Sequence, residues 1–148
     1  MHPLVPMKAS TSTAYIDATQ DAGRQFVMRR MEGPVVMLNL LRFRDVADYS
    51  ATPNLAPAEP ISGAKAYEDY IAHTLPFLEA AGGRVLFNGT GGPWLIGPEA
   101  DQWDRVLLVE HRSTAAFLAF ARNPEYLAGL GHRTAALADS RLLPILAD

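Results

Sequence analysis

The stretch Gly33-Pro34-Val35-Val36-Met37-Leu38-Asn39-Leu40-Leu41-Arg42-Phe43 decides the fold, because it sets one amide inside an otherwise apolar strand. Between Val35 and Leu41 every residue but Asn39 is apolar. Alternation places Val35, Met37, Asn39, Leu41 and Phe43 on one face and Val36, Leu38, Leu40 and Arg42 on the other. Both faces read as covered, which is expected of a central strand. A buried amide costs a few kcal/mol unless it is hydrogen-bonded. Asn39 therefore points either at backbone groups or into a cavity.

Outward from this strand, Gly33-Pro34 ends a helix read over 17–31, capped by Asp17 or Thr19. Residues 1–14 are small and polar around Ala9-Ser10-Thr11-Ser12-Thr13 and read as a flexible lead-in. On the other side, residues 45–61 carry three prolines, Pro53, Pro57 and Pro60. That segment is too long for an ordinary connection and reads as a functional flap or a loosely ordered excursion. Ser62 is an N-cap signal for a helix reaching about Ala81, stopped by Gly82-Gly83. Its wheel gathers Tyr67, Ile71, Thr74, Leu78 and Ala81 on one side and leaves Pro76 on the solvent side.

A second strand begins over Arg84–Phe87 and continues unevenly through Gly89 and Gly91-Gly92 to Ile96, where the glycines suggest a bulge or turn. A third strand lies within 103–112, apolar on both faces from Val106 to Val109 and so central. Ser113 caps a helix over 114–122, Asn123-Pro124 restarts it to about Ala138, and a short last strand runs over 141–146. The order is βαββαβ preceded by an extra helix. This predicts an α+β, ferredoxin-like fold, with a four-stranded antiparallel sheet covered by helices on one face. Residues 15–148 read as one such domain, with the proline-rich insert at 45–61. The bare sheet face is most economically buried against a second copy, so a homodimer is expected.

Composition narrows the function. The 148 residues carry 16 acidic and 13 basic side chains and no cysteine. No electrostatic footprint for nucleic acid follows from that balance, and thiolate metal sites, disulfides and cysteine nucleophiles are excluded. No apolar run approaches the roughly 20 residues that span a bilayer, and the opening residues lack a secretory pattern. A cytoplasmic protein with no membrane or nucleic-acid partner is expected. Asn88-Gly89-Thr90-Gly91-Gly92 lacks the Walker lysine and GxGxxG spacing, and no GxSxG elbow is present.

The residues Pro34–Phe43, Ser62-Gly63-Ala64-Lys65-Ala66-Tyr67, Trp103-Asp104-Arg105-Val106, Asn123-Pro124-Glu125-Tyr126, Arg133 and Ser140-Arg141-Leu142 resemble an uncharacterised family. It is known as domain of unknown function 1330, within the dimeric α+β barrel superfamily. The resemblance spans roughly residues 33–146 and implies a ferredoxin-like dimeric α+β barrel. It implies no reaction. Superfamily relatives include cofactor-free monooxygenases, isomerases and haem enzymes, an analogy at the level of fold.

Six residues stand out as ligand-binding candidates: Asn39, Tyr67, Tyr70, His73, Trp103 and Arg133. Tyr126, Leu130, Arg133 and Leu137 follow helical spacing, so one apolar stripe carries a guanidinium. Arginine is almost never buried unpaired. It either pairs with an internal carboxylate, with Asp104 expected ahead of Glu110, or awaits an anionic ligand. Tyr67 and Tyr70 lie near the core stripe of their helix, with His73 on its flank. His111 and His132 read as surface histidines, and no HxxxH or HExxH spacing indicates a metal. Together these residues predict a pocket under the 45–61 flap that takes a small anionic or carbonyl-bearing metabolite. Acid–base chemistry without a cofactor would suit it. A non-catalytic dimeric binding or scaffold module is the alternative, and a haem enzyme, needing a cavity histidine, is a weaker one.

Overall fold

Val35 to Phe43 form strand β1, and its alternation is visible in burial: Val35, Met37 and Leu41 are 0–2 % exposed. In the computed structural model, which describes residues 13–148, β1 is followed by a 3-10 turn (Pro53–Leu55), helix α2 (Gly63–Ala80) and strands β2 (Arg84–Gly92) and β3 (Trp103–His111). Then come helices α3 (Thr114–Ala121), α4 (Pro124–Leu127) and α5 (Leu130–Ala136), and strand β4 (Leu137–Leu146). Helix α1 (Gln20–Met28) precedes them all. The four strands pair antiparallel in the order β2-β3-β1-β4, so β1 and β3 are central, the ferredoxin-like arrangement that the sequence predicts.

Several boundaries differ from the sequence reading. Helix α1 is capped by the Thr19 side chain and ends at Met28, short of Met31, because Arg30 takes a left-handed φ of 51°. The helix after Asn123 breaks at Ala128-Gly129, and β4 opens at Leu137, four residues before Arg141. Strand pairing outweighs helical periodicity here, since Leu137 pairs with Phe43 and Asp139 with Arg42. Strand β2 stops at Gly92, so Trp94 to Ile96 lie beyond it. Its register shifts between Val85 and Phe87 rather than at the glycines. Residues 1–12 of the expected lead-in lie outside the described residues.

The 45–61 segment is tied down near both of its ends. Ala47 N–H donates to the Ile61 carbonyl and Asp48 N–H to the Ala135 carbonyl, both at 2.9 Å. Buried Tyr49 is 2.8 Å from His132 through its hydroxyl.

The helices cover the face of β1 that carries Leu41, and Leu41 joins Leu107, Tyr67, Tyr70, Phe120 and Leu137 in the core. Among the described residues the other face has no helix. It presents half-buried Leu38, Leu40, Val106 and Leu108, with Phe87 at 56 % and Leu143 at 55 % exposure. No helix among the described residues is long and apolar enough to cross a membrane.

Candidate functional site

Between the sheet and the helices lies a cavity of about 290 Å³. The order of the elements explains its lining. Helix α2 returns antiparallel to β1, so Tyr67 meets Phe43, their ring centres 5.5 Å apart. Leu78 lies at the other end, beside Gly83 and the Glu110 carbonyl. Along this helix Tyr67, Tyr70 and Thr74 face the cavity with Ile71, Leu75 and Leu78, while Asn39, Leu107, Val109 and His111 rise from the sheet. Most of the wall is aliphatic or aromatic, which suits a small organic ligand held by a few fixed polar groups.

Those polar groups are individually placed. The Asn39 amide nitrogen donates to the Met37 and Leu107 carbonyls at 3.3 and 3.2 Å. Its backbone demand is thereby met, and its oxygen has no protein donor among the described residues. The Tyr70 and Tyr126 hydroxyls are bonded to each other at 2.7 Å. The Tyr67 hydroxyl has no hydrogen-bond partner among the described residues. Burial pushes the Tyr67 and Tyr126 phenols well above their ordinary range, so both remain protonated donors.

Arg133, from α5, also lines the cavity. Its guanidinium donates to the Ile16 carbonyl at 2.7 Å and reaches the Ser140 hydroxyl at 3.4 Å. It makes no ion pair among the described residues, which corrects the expected partner. Asp104 instead accepts from the Phe43 backbone N–H at 2.8 Å, and Glu110 pairs with Arg84 at 2.9 Å. Both carboxylates are committed elsewhere because sheet register, not chain distance, selects their neighbours.

The cavity is bordered by residues 16–18 rather than by the 45–61 segment, which contributes no lining residue. Three bonds hold this strap: Tyr15 N–H to Asp139 at 2.8 Å, the Ser140 hydroxyl to the Tyr15 carbonyl at 2.5 Å, and Arg133 to Ile16. Burial pushes the Asp139 carboxyl up, but bonds from Tyr15, Arg141 and Ser140 outweigh it and hold the group below its ordinary value. A depressed carboxylate contributes stability above its unfolded pKa and loses it as pH falls through the folded one. Acidification below the usual aspartate range is therefore expected to loosen the strap, seen as faster hydrogen exchange at Tyr15 than in β1. Equal protection of the two at low pH would contradict this.

Of the six candidates, the fold brings Asn39, Tyr67, Tyr70 and Arg133 to one cavity and leaves two outside it. His73 packs on Phe77 and ties α2 to α4, its Nε2 lying 2.8 Å from the Glu125 carbonyl. Trp103 is 3 % exposed and sits among Arg42 and Arg141, whose guanidinium carbons lie 4.6 and 4.9 Å from its ring centre. Beside Leu40 and Val106 it belongs to the helix-free face.

The surface reading of His111 is also corrected. It is 2 % exposed, lines the cavity and packs against Phe117 and Phe120 at 4.9 and 5.5 Å. Burial pushes its pKa down to about 4, so the ring is neutral at physiological pH. Strand parity carried the missed signal, since His111 shares the face of Leu107 and Val109. Although His111 supplies the cavity histidine that a haem would need, a space of about 290 Å³ does not admit a tetrapyrrole. The site does not fit that group. Among the described residues no three His, Cys, Asp or Glu side chains gather as metal ligands.

The model of a family described as a domain of unknown function (DUF1330) matches residues 58–144. That span begins after β1, so the match does not use the Pro34–Phe43 motif. Among solved structures, the methylated form of the RPA0582 protein is 38 % identical, with a TM-score of 0.81, over 91 % of this chain and 96 % of that one. The structure of the RPA0582 protein of unknown function from Rhodopseudomonas palustris is 38 % identical, with a TM-score of 0.78, over 92 % of this chain and 100 % of the other. No curated protein matches.

Proposed function

The chain belongs to the DUF1330 family, and because that family carries no assigned activity we propose a function from the cavity itself: binding of a small, largely apolar molecule through an anionic or carbonyl oxygen. One observation carries this reading. Arg133, with no carboxylate partner among the described residues, lines the same cavity as Asn39 and Tyr67. The guanidinium and the Tyr67 hydroxyl are both donors, and a carboxylate or carbonyl oxygen is an acceptor without a proton of its own. The apolar walls would bury the carbon skeleton at about 25 cal/mol per Å². Neutral His111 and the protonated tyrosines provide the elements of cofactor-free acid–base chemistry should the ligand be transformed. The test is calorimetric titration with a panel of small aryl and alkyl carboxylates and the matching ketones. Saturable binding of at least one compound is expected, and a panel without a binder removes the reading.

We further propose that the protein acts as a homodimer joined through the helix-free sheet face. Exposed Phe87 and Leu143 beside Leu38, Leu40 and Val106 support this, because contiguous apolar patches rarely stay bare on soluble monomers. Sedimentation at micromolar concentration is expected to give twice the 16.1 kDa chain mass. A clean monomer would refute it. The cysteine-free composition agrees with a reducing cytoplasm as the place of action.

A further inference from the structure

Ile16 carries both features of the ligand class proposed above. Its side chain packs against the core cluster, and the residue lines the cavity. Its backbone carbonyl accepts from Arg133 Nη1 at 2.7 Å, so an acceptor oxygen already sits on the guanidinium. Apolar bulk joined to a carbonyl oxygen is the chemistry that apolar walls and a fixed donor select.

The segment that holds Ile16 is lightly anchored. Residues 13–19 contain no helix or strand, and Ile16 is half-buried while Tyr15, Asp17 and Ala18 beside it are exposed. Helix α1, which follows, buries none of its residues. Tyr15 fastens the strap to β4. Its N–H donates to Asp139, its carbonyl accepts the Ser140 hydroxyl, and the Arg141 guanidinium carbon lies 4.8 Å from its ring centre. Segments with few buried apolar contacts and exposed backbone bonds open far more readily than the whole domain unfolds. On such an exposed strap, an Ile16 carbonyl released from Arg133 meets water and is not left as a buried orphan.

Resting on the binding function proposed above, we infer that Ile16 is a built-in stand-in for the ligand, and that the 15–18 strap moves aside when a small carboxylate or ketone takes its place on Arg133. Charge favours the exchange for a carboxylate. Charge-assisted hydrogen bonds are roughly twice as strong as neutral ones, and a guanidinium meets a carboxylate through two parallel N–H groups. In the closed form Nη1 is already given to Ile16. The closed strap therefore taxes binding, because the apparent Kd is the intrinsic Kd divided by the open fraction. A strap open about a tenth of the time raises the Kd about tenfold.

The experiment follows the full chain by hydrogen exchange and calorimetric titration, with 3-phenylpropanoate, hexanoate and their matching methyl ketones as probes. A ligand ordinarily stabilises the fold it binds and slows exchange. Here a saturating probe is expected to speed exchange of the Tyr15 amide about fivefold or more. Without any probe, Arg133→Met should speed the same amide, because the strap loses its bond to the guanidinium. Tyr15→Ala removes the stack on Arg141 and leaves every cavity-lining residue in place. It should bind the carboxylate probes about threefold more tightly or better, and so should Ile16→Ala. Truncating an ordinary wall residue has the opposite effect and weakens binding. Tyr15 exchange that is unchanged or slowed by a bound probe overturns the stand-in and leaves the Arg133 reading intact. So does unchanged Tyr15 exchange in probe-free Arg133→Met, or probe binding no tighter in Tyr15→Ala and Ile16→Ala than in the wild type. A panel with no binder at all overturns both.

Discussion

Replacing Arg133 by methionine is expected to weaken carboxylate binding at least tenfold while leaving the protein folded. Methionine keeps much of the unbranched stem that packs in the α5 stripe and removes only the charged fork. A hydrogen bond to a charged group contributes about 1.5–3 kcal/mol, and 1.4 kcal/mol is a factor of ten in affinity. The stability cost is smaller than for a buried ion pair. No carboxylate is left stranded, because the guanidinium bonds a backbone carbonyl and a serine hydroxyl. The loss should be about 1.5–3 kcal/mol, the worth of one good charged bond to Ile16, or a melting point lower by several degrees in a domain this size. Loss of an internal partner would instead cost about 3–5 kcal/mol. A drop of that size in the melting experiment, or carboxylate binding unchanged in Arg133→Met, would contradict the account.

Gly63→Ala is expected to destabilise the protein by about 3 kcal/mol, the upper part of the usual range for overpacking. Helix propensity alone argues the opposite, since alanine is favoured over glycine by up to about 1 kcal/mol inside a helix. The surroundings decide the sign. A Cβ at Gly63 would lie 2.3 Å from the Arg44 carbonyl oxygen and 2.6 Å from that of Ala136. Both are backbone atoms, and neither can swing away as a side-chain tip would. The Arg44 carbonyl also accepts the Gly63 N–H at 3.0 Å, and Arg44 N–H donates to the Ala136 carbonyl at 2.8 Å. The start of α2, the end of β1 and the end of α5 thus meet at one point, and Tyr67 stands one turn beyond it. A denaturation midpoint equal to or above the wild type would refute this close approach.

Local chemistry made much of the fold legible. Ser62 caps α2 through its Oγ, 3.0 Å from Lys65 N, and Ser113 caps α3 through Ala116 N in the same way. Apolar alternation located β1 and β3 at the centre of the sheet, because a strand covered on both faces needs apolar residues on both. The start of β4 was not legible. Leu130 to Ala138 is periodic enough to extend a helix, and only pairing with β1 draws Leu137 to Ser140 into the sheet.

The site divides along the same line. Asn39, Tyr67, Tyr70 and Arg133 were identifiable from the sequence, because each is a polar group set in an apolar stripe of its own element, and burial of such a group demands a partner or a cavity. Which of those two it meets depends on residues distant in the chain. Arg133 reaches Ile16 across 117 positions and Asn39 reaches Leu107 across 68. Asp104 was drawn to a backbone N–H by strand register, and Trp103 joined the opposite face beside Arg42 and Arg141. His111 became a cavity residue because α3 folds Phe117 and Phe120 over it. Period and capping are properties of a few neighbouring residues, so the sequence by itself determined the elements and their order. Enclosure is a property of surfaces that meet only after folding, so the tertiary structure alone decided which polar groups share the cavity.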